Sequence, residues 1–294
     1  MARKRVTEKG GGPMKKGLMI GAALLAGLLL SSCLQVKTTV KVNTDGSGTV
    51  DQTFLMKSEM VAMMSGLNSM GTDSTKGSEE PQKEFSLFDE AQLRKDADKM
   101  GTDVRLVSAE PVKTDWGEGY HAVYAFKDIT KIQVNQNPGD SLPSQMGQSK
   151  GENAEKQVPD YVRFGFTKAN PSVLKITFPA PKAASDGAAS SDKPATDQKM
   201  TEQDIAMITQ FYTDMQITMA VEFNGTIVSS NATFRDGNRV TLVDFQFNQL
   251  LQSPEFMKQL KEGKSDKMSN FQTLGKMFPG MKIETQPEVQ VRFR

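Results

Sequence analysis

Apolar and polar positions alternate with a period of two immediately after residue 33. Leu34, Val36, Val40 and Val42 fall on one side, Thr44-Asp45-Gly46-Ser47-Gly48 interrupts, and Val50, Phe54 and Met56 resume the pattern. A half-buried strand requires this alternation and a tight turn requires the glycines, so a β-hairpin is predicted. Met56, Met60, Met63, Met64 and Leu67 then follow helical spacing, which leaves Met56 compatible with either period. A second helix is expected from Ser86, with Asp89 as its third residue in a capping-box-like start, and Gly101 at its end. Strand patterns follow at 104–107 and 120–126, and a second hairpin at 161–166 and 173–178 across Lys168-Ala169-Asn170-Pro171.

The C-terminal third is the most orderly. Thr201 and Asp204 open a helix whose apolar stripe is Ile205, Ile208, Phe211, Tyr212 and Met215. Ile217, Met219, Val221 and Phe223 describe one face of a half-exposed antiparallel strand, which Gly225 breaks. Residues 226–234 read as the next strand, Asp236-Gly237 turns into another at 240–247, and Ser253-Pro254-Glu255 starts a helix. Val289, Val291 and Phe293 alternate as a terminal strand. Polar stretches near 68–82 and 135–159 read as loops, and the Ala/Ser/Pro/Asp-rich stretch 179–198 as a flexible linker or loop. No fixed-period repeat appears. Hairpins dominate, without the strand-helix alternation of a parallel sheet. The expectation is an α+β fold, an antiparallel sheet of hairpins with helices packed on it, to which 33–178 and 199–294 contribute the N- and C-terminal parts.

The segment ahead of the first strand has a different character. An uncharged run from Gly17 to Leu30 follows Lys15 and Lys16 and leads into Ser31-Ser32-Cys33, an export signature of basic region, apolar core and small residues before a cut site. The run is shorter than the roughly 20 residues a membrane-spanning helix needs. Leu30-Ser31-Ser32-Cys33 resembles the lipobox of bacterial lipoproteins. That resemblance implies that residues 1–32 are a cleaved signal peptide and that Cys33 becomes the first residue, carrying two or three acyl chains, palmitate among them. Each buried methylene contributes about 0.8 kcal/mol, so one chain holds weakly and two or three hold stably. Met14, just before Lys15, is an alternative start to Met1.

Composition removes several functions. Taking residues 1–32 from 294 leaves 262, enough for a sizeable core. The net charge of +1 conceals six Lys or Arg against one Glu in those first 32 residues, so the remainder stands near −4 and nucleic acid is not expected as a partner. Cys33 is the only cysteine and His121 the only histidine, which leaves no donor set for zinc and no thiol for disulfides. His121 lies within an alternating strand without a nucleophile elbow nearby, and reads as a partly exposed strand residue. Glu79-Glu80 and Asp89-Glu90 read as solvated charge, Asp45-Gly46-Ser47-Gly48 as a turn without EF-hand spacing, and no Gly-rich phosphate loop occurs. Lys258, Lys261 and Lys264, diluted by Glu262 and Asp266, read as a solvated helix face. The methionines at 56, 60, 63 and 64 suit packing or contact with lipid or an apolar partner better than Cu(I), because the helical period already accounts for them.

Val221-Glu222-Phe223-Asn224-Gly225, Ser229-Ser230-Asn231-Ala232, Asp236-Gly237-Asn238 and Val240-Thr241, with a lipidated cysteine leading straight into a hairpin, resemble the strand pattern of LppM-type bacterial lipoproteins. The resemblance implies a membrane-tethered domain outside the cytoplasm, binding lipid in an apolar cleft, and carries over no catalytic residue. The expectation is a non-enzymatic envelope protein without cofactor that binds an apolar ligand or an envelope partner. The alternatives are a structural or assembly factor, and an enzyme with an unrecognised site, which carboxylates clustered around His121 in a cleft would favour. In a host with two membranes, Leu34 in place of Asp after the cysteine resembles outer-membrane sorting.

Overall fold

The computed structural model describes residues 34–70, 86–136, 161–179, 201–262 and 271–294. Strands β1 (Leu34–Asn43) and β2 (Gly48–Lys57) form the first hairpin, with Leu34 opposite Met56 and Val42 opposite Gly48. Helix α1 (Ser58–Met70) leaves the end of β2, so Met56 is the last buried position of a strand and not part of the helix. Helix α2 (Glu90–Met100) is capped by Asp89, whose carboxylate accepts from the Gln92 N–H. Ser86 is therefore not the cap; its hydroxyl accepts from the Phe88 N–H in the turn before the helix. Strands β3 (Arg105–Lys113), β4 (Gly117–Phe126), β5 (Gln133–Asn135), β6 (Tyr161–Thr167) and β7 (Ser172–Thr177) follow. Helix α3 (Glu202–Tyr212) begins with the expected Thr201–Asp204 capping box and ends before Met215, because Asp214 adopts a positive φ of 63°. The chain continues through β8 (Gln216–Asn224), β9 (Ile227–Ser230), β10 (Arg235–Asp236), β11 (Arg239–Gln246), α4 (Phe247–Leu251), α5 (Pro254–Lys261), α6 (Phe271–Met277), β12 (Lys282–Ile283) and β13 (Glu288–Phe293).

The fold is α+β with two antiparallel-rich sheets. The larger has eight strands in the order β10-β11-β8-β1-β2-β4-β3, with β12 added on β11; the smaller has five in the order β5-β6-β7-β13-β9. One pairing departs from expectation. β8 runs parallel to β1, Thr38 opposite Met219 and Asn43 opposite Asn224, and is antiparallel only to β11. Alternation in sequence encodes which face is buried and carries no information about a neighbour's direction, so β8 shows the expected face with an unexpected partner. Segments before residue 180 and after residue 200 thus share one sheet. The loops expected at 68–82 and 135–159 and the linker at 179–198 fall almost wholly outside the described residues.

The strand expected over 226–234 is the second difference. Only Ile227–Ser230 is strand, and it belongs to the smaller sheet, because the chain changes sheets at Gly225. A Cβ at Gly225 would stand 2.6 Å from the Arg294 carbonyl oxygen, and the next residue, Thr226, donates to that oxygen at 2.7 Å. Around this crossing the sheets pack together. Phe223 of β8 meets Phe293 of β13 edge-on at 4.7 Å, and Phe166 of β6 lies 6.4 Å from Phe293. The turn of the first hairpin is wedged in beside them. Gly46 there has φ 88°, and a Cβ on it would fall 2.7 Å from the Phe166 ring. The small sheet therefore sits on the turn end of the β1–β2 hairpin. The opposite end of the large sheet carries the entry to β1, and α4, α5 and α6 are tied to β11 by edge-on contacts among Phe245, Phe247, Phe256, Phe271 and Phe278.

Candidate functional site

Two arrangements of polar side chains stand out, one on each face of the large sheet. On the outer face, opposite the buried positions, β1, β2, β4 and β3 bring Lys41, Asp51, His121 and Glu110 into a row. Lys41 Nζ donates to Asp51 Oδ2 at 3.2 Å, His121 Nε2 lies 3.0 Å from Asp51 Oδ1, and His121 Nδ1 lies 3.4 Å from Glu110 Oε1. Burial pushes the Asp51 carboxyl up, but hydrogen bonds from His121 and Lys41 and their positive charges outweigh it and hold the group below the ordinary carboxylate range. Carboxylates do gather around His121. They do so on a sheet face where His121 and Asp51 stay 30% and 27% exposed, and each ring nitrogen is turned to a carboxylate. Farther along this face Arg239 pairs with Glu222. Among the described residues no group of three or more His, Cys, Asp and Glu is placed to hold a metal ion.

The inner face carries the second arrangement. The register sets Met219, Thr38, Gln52, Ala122 and Ala109 side by side across five strands, a row of mainly small or polar residues. Larger side chains flank it, Val36, Phe54 and Tyr120 on one side and Val40, Val50 and Tyr124 on the other. Phe54 and Tyr120 stack at 5.4 Å with their rings 10° from parallel. Helix α2 turns Leu93 and Ala97 into the same core, and its Asp96 lies close enough to act on both tyrosines. Burial raises both phenols far above their ordinary range, with the Asp96 charge adding to it, so both are neutral hydroxyls. Tyr124 is fully buried and its hydroxyl has no hydrogen-bond partner among the described residues. A buried polar group in that state costs about 1–3 kcal/mol.

The residues singled out from the sequence are dispersed. Cys33 lies outside the described residues, as do Glu79-Glu80 and Lys264. Met56 is 3% exposed in β2, Met60 and Met64 pack against the core from α1, and Met63 is partly exposed. Asp89 and Glu90 are the cap and first residue of α2, and Lys258 and Lys261 lie exposed on α5. Asp45 accepts from the Ser47 N–H and hydroxyl, which lowers its carboxyl and confirms it as a turn residue.

No protein-family model and no curated protein matches the chain. Among solved structures, the NMR structure of the folded domain of Mycobacterium tuberculosis LppM aligns over 74% of this chain and 84% of that domain, at 12% identity and a TM-score of 0.28. So loose a superposition transfers no residue role.

Sequence reading missed both rows and one more group, Glu284. This side chain is fully buried, and it accepts from Thr233 N–H at 2.7 Å, Thr233 hydroxyl at 2.9 Å, Thr285 N–H at 3.1 Å and Gln286 N–H at 3.2 Å. It fastens the segment after β12 to the turn before β10. A polar residue directly after Met281-Lys282-Ile283 gave no hint of this. The outer row had a faint signal, since Lys41 and Asp51 stand at outward positions of one hairpin, but His121 is joined to Asp51 only through the order of strands.

Proposed function

We propose that the protein is a non-enzymatic, lipid-anchored component of the bacterial cell envelope, held outside the cytoplasm by acyl chains on Cys33 and acting there by binding. The observation that carries the reading is the junction at residue 33. The only cysteine of the chain follows an export signature and directly precedes Leu34, which is already buried and paired in β1. Acylation gives a cysteine at that junction a definite chemical role. A binding role rather than catalysis agrees with His121, whose two ring nitrogens are both occupied by carboxylates. In a host with two membranes the outer membrane is favoured.

The mass of the mature N-terminal peptide tests the anchor. Acylated Cys33 at the N-terminus is expected, and Cys33→Ala releases the protein from membranes or leaves it unprocessed. An unmodified Cys33 in membrane-associated protein rejects the reading.

The binding partner is read as an apolar ligand or another envelope component; the inner row itself is closed core, with Thr38, Gln52, Ala122 and Met219 all buried. If that partner is a lipid, native mass spectrometry of the detergent-extracted chain finds it bound. Absence of lipid from the extracted wild-type protein shifts the reading to an assembly role without a small ligand.

A further inference from the structure

We propose that the end of the large sheet at which the chain enters β1 rests on the phospholipid surface, with Trp116 seated among the headgroups. This rests on the reading of Cys33 as the acylated residue. The register fixes the levels. Leu34 is opposite Met56, and Met56 is opposite Glu118, so these three stand at one height across β1, β2 and β4. Trp116 comes two residues before Glu118, and its carbonyl accepts from the Ser58 N–H at 3.4 Å. At about 3.3 Å per strand residue Trp116 stands roughly 7 Å beyond Leu34, toward the side from which the chain arrives, and two strand spacings, about 10 Å, across from it.

The membrane must lie close to that height. The Cα of residue 33 is about 3.8 Å from that of Leu34, so acyl chains on Cys33 leave almost no tether. The headgroup layer on each side of a bilayer is roughly 5–8 Å thick, and a residue about 7 Å past Leu34 falls within it.

The turn holds the ring in place. Thr114 N–H and hydroxyl both donate to the Gly117 carbonyl, at 2.8 and 2.9 Å, and its hydroxyl accepts from the Gly117 N–H at 3.1 Å. Asp115 and Trp116 are thereby set at the tip of the β3–β4 hairpin. Trp116 is partly buried, and an indole with an apolar body and one N–H donor favours the boundary between headgroups and acyl chains. A second aromatic stands at the same end. Tyr212, 45% exposed, closes α3 just ahead of β8, whose Gln216 is opposite Gln35. The charges there are mixed. Lys57 and Lys113 stand there with Glu59, Asp115, Glu118 and Asp214, Lys113 lying 3.8 Å from Glu118, so the contact is made by aromatic rings and not by a basic patch.

Trp116 is the only tryptophan, so emission from the intact protein reports this turn alone. The full acylated chain is reconstituted in vesicles of phosphatidylethanolamine and phosphatidylglycerol, with and without lipids brominated near the top of the acyl chains. Acylation of Cys33 is read by mass spectrometry on the same sample. The expected result is acylated Cys33 with Trp116 emission reduced at least twofold by the brominated lipids and little altered by salt. Acylated Cys33 with unchanged emission overturns the inference and leaves the anchor standing. Unmodified Cys33 overturns the anchor reading, and the inference falls with it.

Discussion

Asp51 is held from two sides, by Lys41 within its own hairpin and by His121 on β4, 70 positions away in sequence. Its folded carboxyl is lowered, so its contribution to stability is complete above the ordinary carboxylate value of about 4 and is lost as pH falls through the folded value. Asp51→Asn should therefore be less stable than wild type at pH 7, with the gap closing as unfolding is repeated toward pH 3. An equal gap at both ends would deny the carboxylate this role. Tyr124 gives the opposite kind of prediction. Tyr124→Phe removes a buried hydroxyl without a partner among the described residues and should raise stability by about 1 kcal/mol in urea unfolding, whereas a comparable loss would reveal a partner. At this scale the sequence told which side chains face out and which face in. It could not tell what they meet, because His121 finds Asp51 only after three strands take their order.

The elements themselves were largely legible where the signal is local. The Thr201–Asp204 box, the Ser253-Pro254 start and the turns at Gly46 and Gly237 all depend on residues within a few positions of one another. What escaped were decisions made at a distance. Gly225 marked the end of β8, but Ile227 keeps its apolar phase, so nothing local showed that the next strand joins the other sheet. Helix α6 and strand β12 were missed because each is too short to establish a period. Two substitutions probe the joints between elements. Gly46→Ala forces an L side chain into positive φ and against the Phe166 ring, and should cost roughly 2 kcal/mol in chemical denaturation. Glu284→Ala leaves the donors of Thr233 and Gln286 without their acceptor, and should cost about 3 kcal/mol, with faster amide exchange at Thr233. Losses below 0.5 kcal/mol would show that these joints are not tight.

For the molecule as a whole, the position of β1 matters most. It lies inside the large sheet, joined on one side to the strand that follows it and on the other to β8, some 180 residues later. Residues 34–179 expressed alone should lack the native near-ultraviolet signal, because β1 and Phe293's neighbours lose their partners; a native-like spectrum from that piece would show that the N-terminal part folds by itself. The α+β class was readable from hairpins and short helices, but this long-range closure was not, since parallel pairing leaves no mark in either strand. For a chain exported and acylated as proposed above, it would also impose a sequence of events. There β1 would be among the first segments across the membrane and β8 among the last. In the interval one flank of β1 would present unpaired N–H and C=O groups beside the proposed lipid, and chains crowded in the plane of a membrane can zip together along such an edge. On that reading, the interval between lipid attachment and the arrival of β8 is the stage at which β1 stands open to another chain.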